Sequence, residues 1–169
     1  MVEPAARLSA ERRVKCSPIH TRAMADTEIR ELVSETDWKT AFQVVKQLRD
    51  TLDEDEYLDY LDRMTADGYR LFGLFLGDEL VTVAGVNIST NMYHGRHLWI
   101  SELVTDSEHR SRGFGKKLFE YLVEWAESRR CEKVALPSGL QRADAHRFYE
   151  QDVSMESVGY VFARDVGES

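Results

Sequence analysis

The chain of 169 residues is 43% apolar and 31% charged, which is ordinary for one globular domain with a full core. It holds no apolar run of about 18 residues, so a transmembrane helix is excluded, and its start lacks the apolar stretch of a secretion signal. A net charge of −8 argues against nucleic acid and against an anionic membrane as partners. The sequence predicts a cytoplasmic protein, whose acidic surface would either attract cationic amines or reflect a high-salt or high-GC host.

The first 23 residues differ from the rest, since five basic and two acidic side chains give them a charge of +3. Met24 could itself begin a chain, so we interpret residues 1–23 as an N-terminal extension: an alternative start, a cloning remnant or a mobile arm. Residues 24–169 are predicted to form a single domain. The two cysteines, Cys16 and Cys131, lack metal-ligand spacing and are predicted to be unpaired thiols.

Apolar periodicity predicts the elements of the first half of the chain. Alternation predicts a strand over 27–33, and capping side chains after it introduce a helix over 38–48. A second helix is predicted over 53–64, where apolar residues recur at helical spacing. β-Branched and aromatic residues then predict three successive strands in a meander. These strands are 69–76, 79–87 and 97–105.

In the second half, Phe114, Leu118 and Leu122 mark the buried face of a predicted third helix. The strands that follow the meander are expected to complete the sheet at its far edge. The remaining predicted elements are the helix over 113–130, a strand over 133–136, a helix over 142–151 and a strand over 157–164. This order predicts an α/β fold with a mixed central sheet and helices on both faces.

The most informative motif joins the fourth strand to the third helix, and it reads Arg110-Ser111-Arg112-Gly113-Phe114-Gly115. Two glycines two residues apart leave the backbone without Cβ atoms, so several N–H groups can turn toward one anion at the positive end of the helix. The motif therefore predicts a phosphate-binding turn. A nucleotide-binding protein is disfavoured, because neither the lysine-serine signature nor the acidic ribose reader is present.

A second motif follows the fifth strand, where residues 142–149 read Arg-x-x-Ala-His-x-Phe-Tyr. Together with Arg-x-x-Gly-x-Gly upstream, it makes the chain resemble the GNAT superfamily of acetyl-CoA-dependent N-acetyltransferases, and within it the small-amine branch. The resemblance extends over roughly 28–162. It implies a mixed sheet whose fourth and fifth strands run parallel and splay apart, with acetyl-CoA as co-substrate in the opening.

The resemblance also implies which residues contact the cofactor. The backbone of the fourth strand would pair with the pantetheine arm, the loop would hold the pyrophosphate, and nearby cations would add charge. The implied contacts are Leu103, Val104, Thr105, Arg110, Ser111, Arg112, Gly113, Phe114, Gly115 and Lys116. His109, beside this loop, is interpreted as a surface residue.

Acetyl transfer to an amine needs a base, a polarised carbonyl and a proton for the departing thiolate. Glu102 is a carboxylate in an apolar strand, and its side chain is expected on the same face as that of Val104. The resemblance implies that Glu102 is a base or binds the amine. The alternative is that it forms a structural salt bridge. The Val104 N–H is expected to polarise the thioester. Tyr149 matches the family's acid, with a rim aromatic as alternative, while Phe148 is expected in the core and His146 as a structural histidine.

These predictions describe an N-acetyltransferase that moves an acetyl group directly from acetyl-CoA to a primary amine, either a small molecule or a lysine side chain, without a metal. The alternative is a non-catalytic acyl-CoA sensor or interaction module, which needs the loop but neither Glu102 nor Tyr149. Pro137 and the absence of Gly-Phe after Tyr149 depart from the family pattern, so the shape of the acceptor pocket stays open. The sequence does not decide the oligomeric state, for which a homodimer is the assembly considered.

Overall fold

The central sheet consists of β1 (Thr27–Glu31), β2 (Arg70–Leu76), β3 (Glu79–Asn91), β4 (Gly95–Thr105) and β5 (Lys133–Ala135). The structure, a computed structural model, describes residues 26–167. Its strands lie side by side in chain order, and neighbours are antiparallel except for β4 and β5, which run parallel. The mixed sheet predicted from the sequence is confirmed, whereas the extension over 1–23, including Cys16, lies outside the described residues.

Helices cover both faces of this sheet. They are α1 (Glu35–Val45), α2 (Glu54–Ala66), α3 (Phe114–Ser128) and α4 (Ala143–Arg147), the last continued by a π-helical turn (Phe148–Asp152). One core contains the buried residues of α1 and α2, such as Phe42 and Tyr57, and a second contains those of α3, such as Leu118. The two cores are therefore separated by the sheet, with helices on either side as predicted. None of the helices within residues 26–167 is long and apolar enough to cross a lipid bilayer.

A β-bulge interrupts β4 at Ser101. Gly85 of β3 pairs with Glu102 while the next residue, Val86, pairs with Ile100, so Ser101 is the extra residue. The bulge exchanges the two faces of the strand. Ile100 belongs to the core on the α3 side, whereas Val104, also even-numbered, belongs to the core beneath α1 and α2. Both Glu102 and Val104 follow the bulge, so the alternation between them is uninterrupted and their side chains share one face, as expected.

The parallel strands separate soon after they meet. β5 pairs with β4 over His97, Leu98 and Trp99, and β4 then runs on to Thr105 with no strand on that side among the described residues. A splayed pair of parallel strands was predicted, and the register confirms it. The separation leaves a row of main-chain groups along β4 facing an opening.

The predicted strand over 157–164 does not form. Residues 154–165 have no regular secondary structure, and Val158, Tyr160, Val161 and Phe162 are exposed. Alternating apolar residues satisfy the sequence pattern of a strand, but a strand also needs an edge with which to exchange hydrogen bonds. Here the contact from Tyr93 Oη to the Val158 carbonyl, at 3.5 Å, connects this segment to the β3–β4 turn.

Other element boundaries move by a few residues. β3 extends to Asn91 and β4 begins at Gly95, so the hairpin is longer than predicted. The predicted helix over 142–151 is divided into α4 and the π-helical turn, which wraps the chain more widely around Phe148 and Tyr149. A π-turn requires i→i+5 hydrogen bonding, which side-chain periodicity does not reveal.

Candidate active site

Two cavities open on either side of Arg49, which lies in the loop after α1 and lines both of them. The first, called here the Glu102 cavity, has a volume of about 240 Å³, and the second, the Tyr149 cavity, about 260 Å³. The wall of the Glu102 cavity includes Leu52, Tyr57, Tyr60, Leu61, Met64 and Tyr69. The wall of the Tyr149 cavity includes Ile100, Leu103, Leu136, Pro137, Arg142 and Tyr149. The two candidate catalytic residues thus lie in neighbouring cavities, one on each side of a single arginine.

Glu102 follows the bulge directly, and its side chain is only 14% exposed. Tyr69 Oη donates a hydrogen bond to its Oε2 at 2.6 Å, and Arg49 Nη2 donates to its Oε1 at 3.2 Å. Arg49 Nη2 also donates to the carbonyl of Ser101, at 3.1 Å. The salt bridge considered as the alternative role of Glu102 is therefore present, yet the carboxylate still lines the cavity, where it could also meet an amine.

Gly85 makes room for this pair. It lies opposite Glu102 in the β3–β4 register. A Cβ atom on Gly85 would lie 1.5 Å from Tyr69 Oη and 2.6 Å from Glu102 Oε2, both impossible without movement of the pair. The absence of a side chain at this one position is what allows the tyrosine hydroxyl to reach the carboxylate across the strand.

The tyrosines around Glu102 stay protonated at neutral pH. Burial raises the pKa of Tyr69 well above its ordinary value, and the negative charge of Glu102 and their hydrogen bond raise it further. Burial is also the main reason that the pKa of Tyr57 is raised, with a smaller effect of Glu102. Both phenols are thus hydrogen-bond donors, and neither is a base at neutral pH.

Tyr149 lies in the π-helical turn and is half-buried in the wall of its cavity. Its carbonyl accepts a hydrogen bond from Met155 N–H at 2.8 Å, which fixes the backbone at this point. Burial raises the pKa of Tyr149, with a smaller opposing effect of Arg142. The phenol is therefore protonated at neutral pH, as an acid must be. Phe148 is not buried in either core, against the expectation, but lies beside Gly115.

The turn before α3 has the backbone of an anion site. Gly113 adopts a left-handed conformation with φ of 84°, and Ser111 another with φ of 60°. No side chain caps the N-terminus of α3, so the N–H groups of its first turn have no acceptor within the helix. Left-handed residues of this kind gather successive N–H groups around a concavity, and the helix dipole adds positive potential. Such a concavity could hold an anion, while phosphate binding itself stays a prediction from the motif.

Gly115 fits this turn against β4. A Cβ atom there would lie 3.2 Å from Thr105 Oγ1 and 3.8 Å from Phe148 Cζ. The first distance is tighter than ordinary van der Waals contact, so glycine lets the start of α3 pack closely on the end of β4. Each glycine of the motif therefore has its own role, one in the backbone conformation of the turn and one in its packing.

The side chains of the loop are engaged within the protein. Arg110 Nε donates to the Thr105 carbonyl at 3.2 Å, and Lys116 lies near Glu120 on the helix surface. Arg112 contacts the ring of Phe114 and donates from Nη1 to Nδ1 of His109 at 2.9 Å. Because an arginine can only donate, His109 Nδ1 is an acceptor in this contact, and its protonated Nε2 donates to Glu79 at 3.0 Å.

His109 is therefore not the surface residue expected from the sequence. Only 9% of it is exposed, and its two ring nitrogens connect the loop to the start of β3. The sequence carried no sign of this, because the partner Glu79 is 30 residues away. The imidazole fixes Arg112, and through it the approach to the glycine turn.

The open edge of β4 corrects one expectation. Asp106 N–H donates to the Val81 carbonyl of β3 at 2.9 Å, and alternate residues of a strand direct their main-chain groups to the same side. By this register Val104 points its N–H toward β3, so it does not face the opening as proposed from the sequence. Leu103 and Thr105 direct theirs to the open side. Leu103, not Val104, supplies a main-chain donor beside the Tyr149 cavity.

The sequence missed the residues that hold Glu102 in place. Arg49, Tyr57, Tyr69 and Gly85 are distant from it in the chain and carry no motif. The one available signal was the cost of a carboxylate in an apolar strand, which required partners without naming them. Among residues 26–167 no group of side chains has the arrangement of a metal site, and Cys131 is unpaired.

Comparison with known proteins identifies the family. Residues 33–154 match the Acetyltransferase (GNAT) family. Over 139 residues the chain is 34% identical to the uncharacterised N-acetyltransferase YhdJ of Bacillus subtilis (strain 168), covering 82% of this chain and 98% of that protein.

Solved structures show the same fold. An acetyltransferase of Trypanosoma brucei has a TM-score of 0.67 at 23% identity, covering 83% of this chain and 100% of that one. The aminoglycoside N-acetyltransferase AAC(6')-Iy in complex with CoA has a TM-score of 0.72 at 19% identity, covering 83% and 95%. A splayed mixed sheet with a glycine turn at its opening defines an acyltransferase class, and the chain belongs to the GNAT family of acetyltransferases.

Proposed function

We propose that this protein transfers an acetyl group from acetyl-CoA to a primary amine by direct attack. The observation that carries the proposal is the placement of Glu102 and Tyr149 in adjoining cavities beside the open edge of β4. A base and an acid on opposite sides of one reacting centre are what aminolysis of a thioester requires. The amine would occupy the Glu102 cavity, and the thioester end of the donor the Tyr149 cavity.

The donor side fits the chain in two independent places. The left-handed Gly113 and the uncapped start of α3 would hold the pyrophosphate through main-chain N–H groups. The main-chain N–H and C=O groups of Leu103 and Thr105 would form hydrogen bonds with the pantetheine arm, which would lie along β4 as an added strand does. When bound, acetyl-CoA supplies an acyl group activated as a thioester.

The chain's own residues move the protons. Glu102 would receive a proton from the ammonium group, since the lone pair must be exposed before the nitrogen can attack. Tyr149 would hold a proton on Oη in the second cavity, for the sulfur that departs. Leu103 N–H takes over the polarising role first expected of Val104. Among the implied contacts, Arg110 and Lys116 lie at the mouth of the turn, where their charges would add to phosphate binding.

Two measurements test the proposal together. Calorimetry with acetyl-CoA should show binding, and a thiol-release assay over a panel of primary amines should show turnover. Binding without turnover for any amine or lysine peptide would instead support the acyl-CoA sensor, and the absence of binding would contradict both.

A matched pair of variants isolates the glycine turn. Asparagine tolerates left-handed φ, so Gly113→Asn adds bulk with little backbone strain. We expect it to weaken acetyl-CoA binding at least tenfold, because the side chain occupies the approach to the N–H groups. Gly77→Asn, at a left-handed glycine in the β2–β3 turn, should leave binding unchanged.

The compartment and the assembly complete the proposal. We place the protein in the cytoplasm, where the unpaired Cys131 thiol would stay reduced. We also propose a homodimer, supported by the exposed apolar residues that follow Met155.

A further inference from the structure

The Glu102 cavity has the properties of a site for one class of amine. We propose that the acceptor is a compact monoamine whose apolar body carries a single hydrogen-bonding group, such as a hydroxyl, and that Tyr57 selects it. The inference rests on the proposed function, because it assumes that the Glu102 cavity receives the acceptor. It is carried by the size of the cavity, its charges and one buried hydroxyl.

The first argument is the size and the lining. A volume of about 240 Å³ lies below the range of roughly 300 to 1,000 Å³ that drug-sized ligands occupy. The wall is formed mainly by the rings of Tyr57, Tyr60 and Tyr69 and by aliphatic side chains of α2. Such a wall gains from burying an apolar body, and aromatic faces also attract a cation. A small amine on a hydrocarbon frame fits both properties.

The second argument is charge. Among the described residues that line the cavity, Glu102 is the only acidic one and Arg49, which pairs with it at 3.2 Å, the only basic one. One ammonium group can share the carboxylate with Arg49 or displace the arginine toward the Ser101 carbonyl. A second ammonium group inside the cavity would find no further carboxylate among these lining residues and would be repelled by Arg49. Polycationic amines should therefore be poor acceptors.

The third argument is the hydroxyl of Tyr57. This residue is 4% exposed, and its Oη has no hydrogen-bond partner in the part of the chain that the structure describes. A buried phenol without a partner is costly. Because Tyr57 belongs to the lining of the cavity, a ligand that reaches its Oη from there and offers an acceptor would remove the cost. The unbranched methylene chain of a lysine substrate offers nothing there. A hydroxylated or carbonyl-bearing monoamine does.

The test compares matched pairs of amines by thiol release. The probes are tyramine, its 3-hydroxy isomer and 5-amino-1-pentanol, each measured against the same amine without its hydroxyl, with spermidine and an Nα-acetyl-lysine amide as further acceptors. We expect the best hydroxylated amine to exceed its partner about tenfold in kcat/KM, which is the worth of one buried hydrogen bond. Spermidine should be the poorer substrate by a larger factor.

A variant assigns the preference to one residue. Tyr57→Phe should bring the kcat/KM ratio of each matched pair close to one, while the apolar amines are still acetylated. Tyr121→Phe, which removes a hydroxyl on the α3 side of the sheet, should leave the ratio as it is. If Tyr57→Phe fails to fold, the wild-type ratios decide whether a hydroxyl is preferred, and Tyr57→Met, which keeps an apolar side chain without a hydroxyl, replaces it in the assignment to Tyr57.

The outcomes separate this inference from the proposed function. Turnover with spermidine or the lysine amide as the best acceptor would overturn the inference but leave the acetyltransferase intact. A hydroxyl preference that survives Tyr57→Phe would also overturn it. No turnover with any amine would contradict the proposed function itself.

Discussion

The carboxylate of Glu102 depends on three residues that approach it from different strands and loops. Tyr69, directly before β2, and Arg49, in the loop after α1, each donate a hydrogen bond to this carboxylate. Gly85 leaves the space that the Tyr69 hydroxyl needs to reach it. Since the phenol of Tyr69 stays protonated, the hydrogen bond fixes one carboxylate oxygen and leaves the orientation of the other to Arg49. In the proposed reaction Tyr69 would be a positioning residue, because it would act through Glu102.

Removal of that hydroxyl should lower turnover without affecting the donor. We expect Tyr69→Phe to reduce kcat about tenfold, as the carboxylate loses one of its two donors, with acetyl-CoA affinity unchanged. Steady-state kinetics and calorimetry measure the two effects separately. A parallel loss of acetyl-CoA binding would show that Tyr69 acts through general stability, and Tyr121→Phe provides the baseline for the loss of a tyrosine hydroxyl.

Gly85 gives a second prediction at this scale. Gly85→Ala should displace the Tyr69–Glu102 pair and lower both kcat and thermal stability, because its Cβ would overlap the phenol oxygen. Gly73→Ala is the matched control in β2, where a Cβ would meet the flexible ends of Leu80 and Leu32. The control should lower the melting temperature but not kcat per folded molecule. Equal kinetic effects of the two variants would contradict the role given to Gly85.

Removal of the proposed base, Glu102, should have the largest kinetic effect. Glu102→Gln keeps the shape of the side chain but cannot accept a proton, so kcat should fall by about 10²- to 10⁴-fold with acetyl-CoA affinity retained. The thiol-release assay measures it, and Glu124→Gln, at an exposed carboxylate on the outer surface of α3, serves as control for affinity. Unchanged turnover in Glu102→Gln would remove Glu102 from the chemistry.

Secondary-structure elements explain which of these residues the sequence could reveal. Glu102 was recognisable because a charge in an apolar strand stands out, and Gly113 and Gly115 because their motif is local. Tyr69 and Gly85 were not, since their significance depends on the β2–β3–β4 register. The alternation of side chains also does not reveal the bulge at Ser101, because the two-residue period continues before and after it. The expectation for the Val104 N–H also failed for a non-local reason, because the side to which this group points is decided by the β3–β4 pairing.

At the level of elements, the start of α1 yields a prediction about pH. Asp37 accepts from Ser34 and from Arg30 Nη2, the latter at 2.8 Å, and the hydrogen bond to Arg30 is the main reason that its pKa is lowered to about 2. A depressed carboxyl pKa stabilises the folded state above the ordinary value of 3.8 and ceases to do so as the pH falls through about 2. The contribution is therefore complete at neutral pH.

Asp37→Asn should lower the free energy of unfolding by about 1 kcal/mol at pH 7, a figure reduced for the partial exposure of Arg30. The difference between the two proteins should narrow as the pH is lowered toward 2. Urea denaturation at several pH values measures it. Glu35→Gln, on an exposed residue of the same helical turn, should have a smaller effect, and a pH-independent difference for Asp37→Asn would exclude the ionised carboxylate as its origin.

At the scale of the whole molecule, the apolar residues after Met155 form a segment that the rest of the described chain does not cover. Their alternation favours a strand, and Phe162 is 91% exposed. An exposed apolar segment of this kind is a feature that proteins normally cover. The predicted final strand is wrong because residues 154–165 form no regular secondary structure, although their apolar alternation fits the sequence pattern of a strand.

We expect the protein to be a dimer in light scattering after size-exclusion chromatography. The double variant V161D/F162D should shift it toward monomer, because two charges would then have to be buried in the interface. Met92→Asp, at an exposed apolar residue of the β3–β4 turn, is the control and should not change the mass. A wild-type protein that is monomeric at micromolar concentration would contradict the proposal.

The exchange of faces at Ser101 has a consequence for how the protein could diverge. The groups that would recognise the acceptor lie on the face of the sheet that α1 and α2 cover. The groups that would hold the donor lie at the start of α3, which covers the opposite face. Substitutions in α2 could therefore change which acceptor the protein selects without affecting how it would bind acetyl-CoA. A duplicated gene with this architecture could acquire a new substrate through a few changes confined to a single helix.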